Sequence, residues 1–150
     1  MSRTAFILAA AVTFVVSARP ARAQPIGLNH VWTVAGVMDS ASNLVTVFSC
    51  TYTGQFAATV GVEIYNENGG YIAGGSTVVT PQGTAVFATR TLAGYGLDVD
   101  LNTGNFPKGH ARIMGSSSKG VLCNAFLVNA STGQPSVPLN IVKRGAQKGT

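Results

Sequence analysis

LVTVFSCTYTGQFAATVGVEIY, residues 44–65, is the stretch whose reading decides the fold. It divides into two β-strands, 44–52 and 59–65, joined by a short polar connection containing Gly54. Val, Ile, Phe, Tyr and Thr dominate both, the residue types that suit a pleated, half-buried surface. In the second strand Val60, Val62 and Ile64 share one face, with Gly61, Glu63 and Tyr65 on the other, a period of two. The first strand carries Cys50, one of two cysteines in the chain.

Working outward, turn chemistry punctuates the chain on both sides. Upstream, HVWTVAGVM (30–38) reads as a strand and Asp39-Ser40-Ala41-Ser42-Asn43 as a turn cluster. Downstream, Asn66-Glu67-Asn68-Gly69-Gly70 must turn, because Asn-Gly supplies the positive φ of a tight hairpin. A glycine-interrupted, bulged or edge strand follows over 71–73 and 76–80, then the Pro81-Gln82-Gly83 turn and a strand over 84–91. Residues 92–108 are irregular and glycine-rich, a loop of a length that is often functional or mobile. Residues 109–116 and 120–129 read as a hairpin around Ser117-Ser118-Lys119, and 138–142 as a last short strand. No segment after the N-terminal run shows a helical stripe, so the chain is expected to be all-β: an antiparallel two-sheet sandwich of roughly seven or eight strands, with a small β-barrel as the alternative.

The N-terminus is expected to be a targeting signal. Arg3 supplies the positive start, Ala5 to Val16 an apolar run too short for a mature membrane span, and Ala21-Arg22-Ala23 a cleavage pattern. The expected organisation is a cleaved signal at 1–23, one domain at 24–143 and a flexible polar tail at 144–150. Removing Arg3, Arg19 and Arg22 leaves seven basic residues against five acidic ones, or +2. Those cations are scattered rather than clustered, which argues against a nucleic-acid or anionic-membrane partner. The processed chain is expected to be periplasmic or extracellular and not membrane-spanning.

Thr59 to Phe87, TVGVEIYNENGGYIAGGSTVVTPQGTAVF, resembles bacterial exported immunoglobulin-like sandwich modules of the CARDB type. In these a strand, an Asn/Gly turn, a short edge strand, a Pro-x-Gly turn and another strand follow in that order. The resemblance covers about a third of the mature chain. It departs from antibody-type domains in that Trp32 precedes both cysteines. It implies a binding or structural module and brings no catalytic residue with it.

The residues that could carry chemistry are few. Cys50 and Cys123, both mid-strand in an exported chain, are expected to form a disulfide joining 44–52 to 120–129 and locking sequence-distant halves of the sandwich together. Asp98-Val99-Asp100-Leu101-Asn102-Thr103-Gly104 echoes the start of a calcium loop, which makes Asp98, Asp100 and Asn102 candidate metal ligands. Its glycine falls one place late, and Gly109 stands where a bidentate Glu is required. The preferred reading is therefore a turn with Asp98, Asp100 and Asn102 facing water, and no metal or cofactor is expected.

His30 and His110 are distant in sequence, and Glu63 and Glu67 lie on a strand and in the next turn. Ser116-Ser117-Ser118 lacks a nucleophile elbow, and Asn129-Ala130-Ser131 fits a glycosylation sequon. Tyr52, Tyr65, Tyr71 and Tyr95 could form an exposed ligand face. Two functions are compatible with this set. One is a non-catalytic exported module meeting a protein or glycan at the cell envelope. The other is a small secreted hydrolase or carbohydrate-active protein using acidic loop residues, with Asp98, Asp100, Glu63 or a histidine as its candidate groups. Convergence of side chains in one cleft separates them.

Overall fold

The computed structural model describes residues 27–144, so the expected signal at 1–23 and tail residues 145–150 lie outside the described residues. Ten strands and no helix occur within them: β1 Asn29–Asp39, β2 Leu44–Tyr52, β3 Ala58–Asn66, β4 Tyr71–Val79, β5 Thr84–Ala88, β6 Val99–Asp100, β7 Phe106–Gly115, β8 Val121–Asn129, β9 Pro135–Pro138 and β10 Ile141–Lys143. The all-β expectation holds. The hydrogen-bonded path runs β4-β3-β7-β1-β2-β5-β6, with β10 attached to β1, β8 to β2 and β9 to β8. Pairing is antiparallel except between β5 and β6, which are parallel over two residue pairs.

The two strands of the deciding stretch do not pair with each other. β2 lies between β5 and β8, and β3 between β4 and β7. The polar connection at 53–57 thus carries the chain from one half of the path to the other. The same holds for the expected hairpin at 109–129, which is corrected: β7 pairs β1 and β3, whereas β8 pairs β2 and β9. Turn residues fix where a chain bends and leave open which neighbour it bends toward. The Asn-Gly turn does close a true hairpin. The amide of Asn66 donates to the Gly70 carbonyl at 2.8 Å, and Gly69 adopts φ +79°.

β4 is a single strand across its glycines. A Cβ on Gly75 would lie 2.6 Å from Cγ1 of Val99 in β6, so glycine is what lets the two ends of the path approach. The seven strands of the path therefore nearly close on themselves. The strand total exceeds the expected seven or eight for two reasons. β6 arises inside the irregular stretch, and the expected strand at 138–142 is split. The Leu139 amide bonds to Ala125 of β8 and the Asn140 carbonyl to Ala35 of β1, so consecutive residues serve different strands.

The main core gathers Val34, Phe48, Val60, Val62, Ile64, Phe87, Leu101 and Ile113, all buried. Phe48 and Phe87 sit opposite each other on β2 and β5. Each such side chain contributes roughly 1.5–3 kcal/mol on leaving water. A second cluster of Val45, Val47, Ala88, Leu92 and Val128 lies on the other face of β2, with Tyr95 and Leu97 packed against it. The irregular stretch is thus largely a cover over that face. β5 also ends earlier than expected: residues 89 and 90 bend, the Thr89 amide bonding to the Thr46 carbonyl of β2 and Arg90 donating to the Ser40 carbonyl.

Candidate functional site

Cys50 and Cys123 are bonded, directly opposite in the β2–β8 register with Cα atoms 4.1 Å apart. The short Cα separation fits a non-hydrogen-bonded antiparallel pair. Cys50 is fully buried and shares its face with Phe48 and Tyr52, while Val121 and Ala125 flank Cys123 in the core. The bond joins neighbours in one ladder that lie 73 residues apart in sequence. Beside it, the Trp32 indole Nε1–H donates to the Val121 carbonyl at 2.9 Å.

The acidic residues are bonded to β5 and to their own loop. Asp98 Oδ2 accepts the Val86 amide at 2.8 Å, and Asp100 Oδ1 accepts the Asn102 amide at 2.8 Å. The Thr91 hydroxyl donates to Asp100 Oδ2. Val99 packs on the core and Leu101 is buried within it, leaving the three polar residues exposed. Among the described residues, no three His, Cys, Asp or Glu side chains gather to hold a metal.

The face of the sheet turned away from the main core brings other singled-out residues together. Strand alternation puts Glu63 and Tyr65 of β3, and His110 and Arg112 of β7, on this side. The register sets Glu63 opposite Arg112 and Tyr65 opposite both His110 and Tyr71. The Tyr65 hydroxyl donates to Glu63 Oε2 at 2.8 Å. The Arg112 guanidinium lies 4.6 Å from the Tyr65 ring centroid, a cation–π distance. His110 stacks parallel to Tyr65 at 5.1 Å, and Tyr71 meets it edge-on at 5.7 Å. Glu63 is 5 % exposed and Tyr65 6 %, while Arg112 lies open to solvent.

His30 on neighbouring β1 belongs to the same side, its Nε2 3.0 Å from both the Trp32 carbonyl and the Thr33 hydroxyl. Burial lowers the pKa of both histidines. Arg112 pushes His110 further the same way, and for His30 the Trp32 hydrogen bond opposes it. Both imidazoles are therefore neutral near pH 7. Burial, reinforced by the bond to Glu63, raises the Tyr65 phenol.

The structure thus joins His30, His110, Glu63, Tyr65 and Tyr71 on one face, and it leaves out Asp98 and Asp100. Glu67 is no partner of Glu63; it pairs with Lys108 at 2.6 Å in the hairpin turn. The four tyrosines do not make one exposed face. Tyr52 is buried in the core, and the Tyr95 hydroxyl donates to the Gly133 carbonyl at 3.0 Å. Ser116 Oγ accepts the Thr59 amide, and Asn129 Oδ1 accepts the Ser131 amide, both turn functions. Arg112 was not singled out by sequence. Its signal was parity, since residues 110 and 112 of a strand share a face.

A second polar centre, also missed, sits at the β1–β2 corner. Asp39 is 1 % exposed, with Arg90 Nε at an ion-pair distance of 3.4 Å. Thr46 Oγ1 donates to the Met38 carbonyl and accepts the Met38 amide, and the Thr46 amide bonds to Thr89 Oγ1. Burial raises the Asp39 carboxyl above its usual range, with Arg90 and neighbouring threonines pulling the other way. These bonds hold a bend in place.

No family model matches the chain, and no curated protein or solved structure is significantly similar to it.

Proposed function

We propose that this chain is an exported, non-catalytic module, periplasmic or extracellular, that engages a protein or glycan at the cell envelope. Its binding face would be the outer side of β3 and β7. Within the all-β class we read it as an immunoglobulin-like sandwich of the CARDB type rather than a closed barrel. Support comes from the single register pair shared by β1 and β2, where the path between its two halves is thinnest. A disulfide fits the oxidising compartment that export implies.

The observation that carries the binding reading is the exposed Arg112 held over Tyr65, with the His110 and Tyr71 rings beside it. Aromatic planes and an exposed guanidinium are enriched where surfaces meet partners. A hydrolase reading draws on Glu63, a nearly buried carboxylate on the same face as His110. One experiment addresses both. The secreted protein is applied to glycan and envelope-protein arrays and to a panel of chromogenic glycosides and esters, alongside Arg112→Gln, Tyr71→Ala and Glu63→Gln. The module reading expects array binding weakened at least tenfold by the first two, with no turnover. Turnover that Glu63→Gln abolishes would replace it with the hydrolase.

A further inference from the structure

The three most exposed large apolar side chains lie at one end of the strands, an end that carries no acidic residue among those described. At that end three loops meet: 53–57, 80–83 and 116–120. They are cross-tied. The Thr53 amide donates to the Gly120 carbonyl at 2.8 Å, and Gln82 Nε2 donates to the Thr53 carbonyl at 3.0 Å. Phe56 stands on the first loop 81 % exposed, more than any other large apolar residue among those described. Val78 and Leu122, 68 % and 57 % exposed, lie within two residues of the other two loops.

No carboxylate occurs in these loops, whereas Lys119 lies exposed in the third. Lys143 and Arg144 extend toward the same end, because Lys143 pairs with Trp32 near the start of β1 and the Arg144 amide bonds to Val31. The acids gather elsewhere. Asp39 closes β1 at its far end, Glu67 lies in the opposite hairpin turn, and Asp100 pairs with the far end of β5.

We propose that this loop end is a membrane-contact surface that seats Phe56 in a bilayer carrying anionic headgroups. An aromatic side chain projecting from a rigid loop is well suited to the boundary between headgroups and acyl chains, and the cations add attraction to an anionic surface. The absence of acids from the tip removes the groups that such a surface would repel. One aromatic anchor with three cations gives weak, reversible attachment, comparable to that of a single acyl chain. The contact is separate from the outer face of β3 and β7, and the proposal rests on export without requiring a ligand there.

The test is partition of the processed, disulfide-bonded protein onto phosphatidylglycerol and phosphatidylcholine vesicles, read by sedimentation at low and high salt. The proposal expects binding to the anionic vesicles that high salt weakens. Phe56→Ser should reduce it about tenfold or more, and Lys119→Gln about fivefold. Both residues are exposed, so unchanged melting temperatures should accompany the losses. Arg112→Gln, on the separate outer face, should leave vesicle binding intact. No partition onto anionic vesicles would overturn the proposal, as would partition indifferent to Phe56→Ser. Self-association that Phe56→Ser dissolves, without vesicle binding, would assign the surface to a second copy of the chain instead.

Discussion

β2 and β3 follow each other in sequence, and each buries one face in the main core, yet their second faces are covered in different ways. That of β2 carries Val45 and Val47 and lies beneath another stretch of chain, Leu92 with Tyr95 and Leu97. That of β3 carries Glu63 and Tyr65 and is covered by neighbouring side chains, Arg112, His110 and Tyr71. An apolar face under a loop can be uncovered only by unfolding that loop. A polar, aromatic face under side chains is uncovered by rotamer changes alone, which is what a binding surface needs. The comparison separates a stability element from the proposed recognition element within one continuous stretch of sequence.

The largest expected effect falls on the β2 side. Cys50→Ala together with Cys123→Ala removes a link across a sequence separation of 73 residues. The loop-closure entropy involved is worth about 4 kcal/mol, so thermal melting should fall sharply, and reductant should do the same to the unmutated protein. Next, Leu92→Ala strips the cover from the second face of β2 and should cost about 3 kcal/mol in urea unfolding. If the stretch packed only loosely, the cost would fall below about 1 kcal/mol, and the contrast between the two faces would collapse.

A smaller effect belongs to the β3 side and has a defined sign. His30 and His110 have lowered pKa values when folded, so the unfolded chain binds protons first as pH falls. Their contribution is complete above about pH 6.5 and is lost as pH drops below it toward the folded values. Melting temperature should therefore decline between pH 7.5 and 5.5, and the decline should be shallower in His30→Gln and His110→Gln. A protein equally stable at both values would place these rings in water. The smallest effect is expected from calcium. Ligand bound only by the folded protein would add about 2.7 kcal/mol at a hundredfold excess over Kd. With Asp98 already bonded to the Val86 amide of β5 and Asp100 to Asn102 and Thr91, millimolar calcium should leave melting unchanged.

The contrast between β2 and β3 also marks how much could be read in advance. Val60, Val62 and Ile64 alternate against Gly61, Glu63 and Tyr65, and the structure keeps that division. The Asn-Gly turn at 68–69 and the water-facing Asp98, Asp100 and Asn102 were legible for similar local reasons. Pairing was not legible. Nothing local tells residues 116–120 to send β8 to β2 rather than back along β7, because that choice is made by long-range packing of Val121 and Ala125 in the core. The outer-face site depends on the same information. Glu63 and Arg112 are neighbours only through the β3–β7 register, and Asp39 meets Arg90 only because β5 ends beside the corner.

The central claim is that the chain is held by one covalent link inside the β2–β8 ladder, as the proposed export requires. Intact-mass and peptide mapping of the protein recovered from a secreting host, under non-reducing conditions, tests it most directly. The expected result is a chain beginning at Gln24 with a Cys50–Cys123 linked peptide and no free thiol. A chain retaining residues 1–23 and carrying two free thiols under oxidising conditions would contradict it.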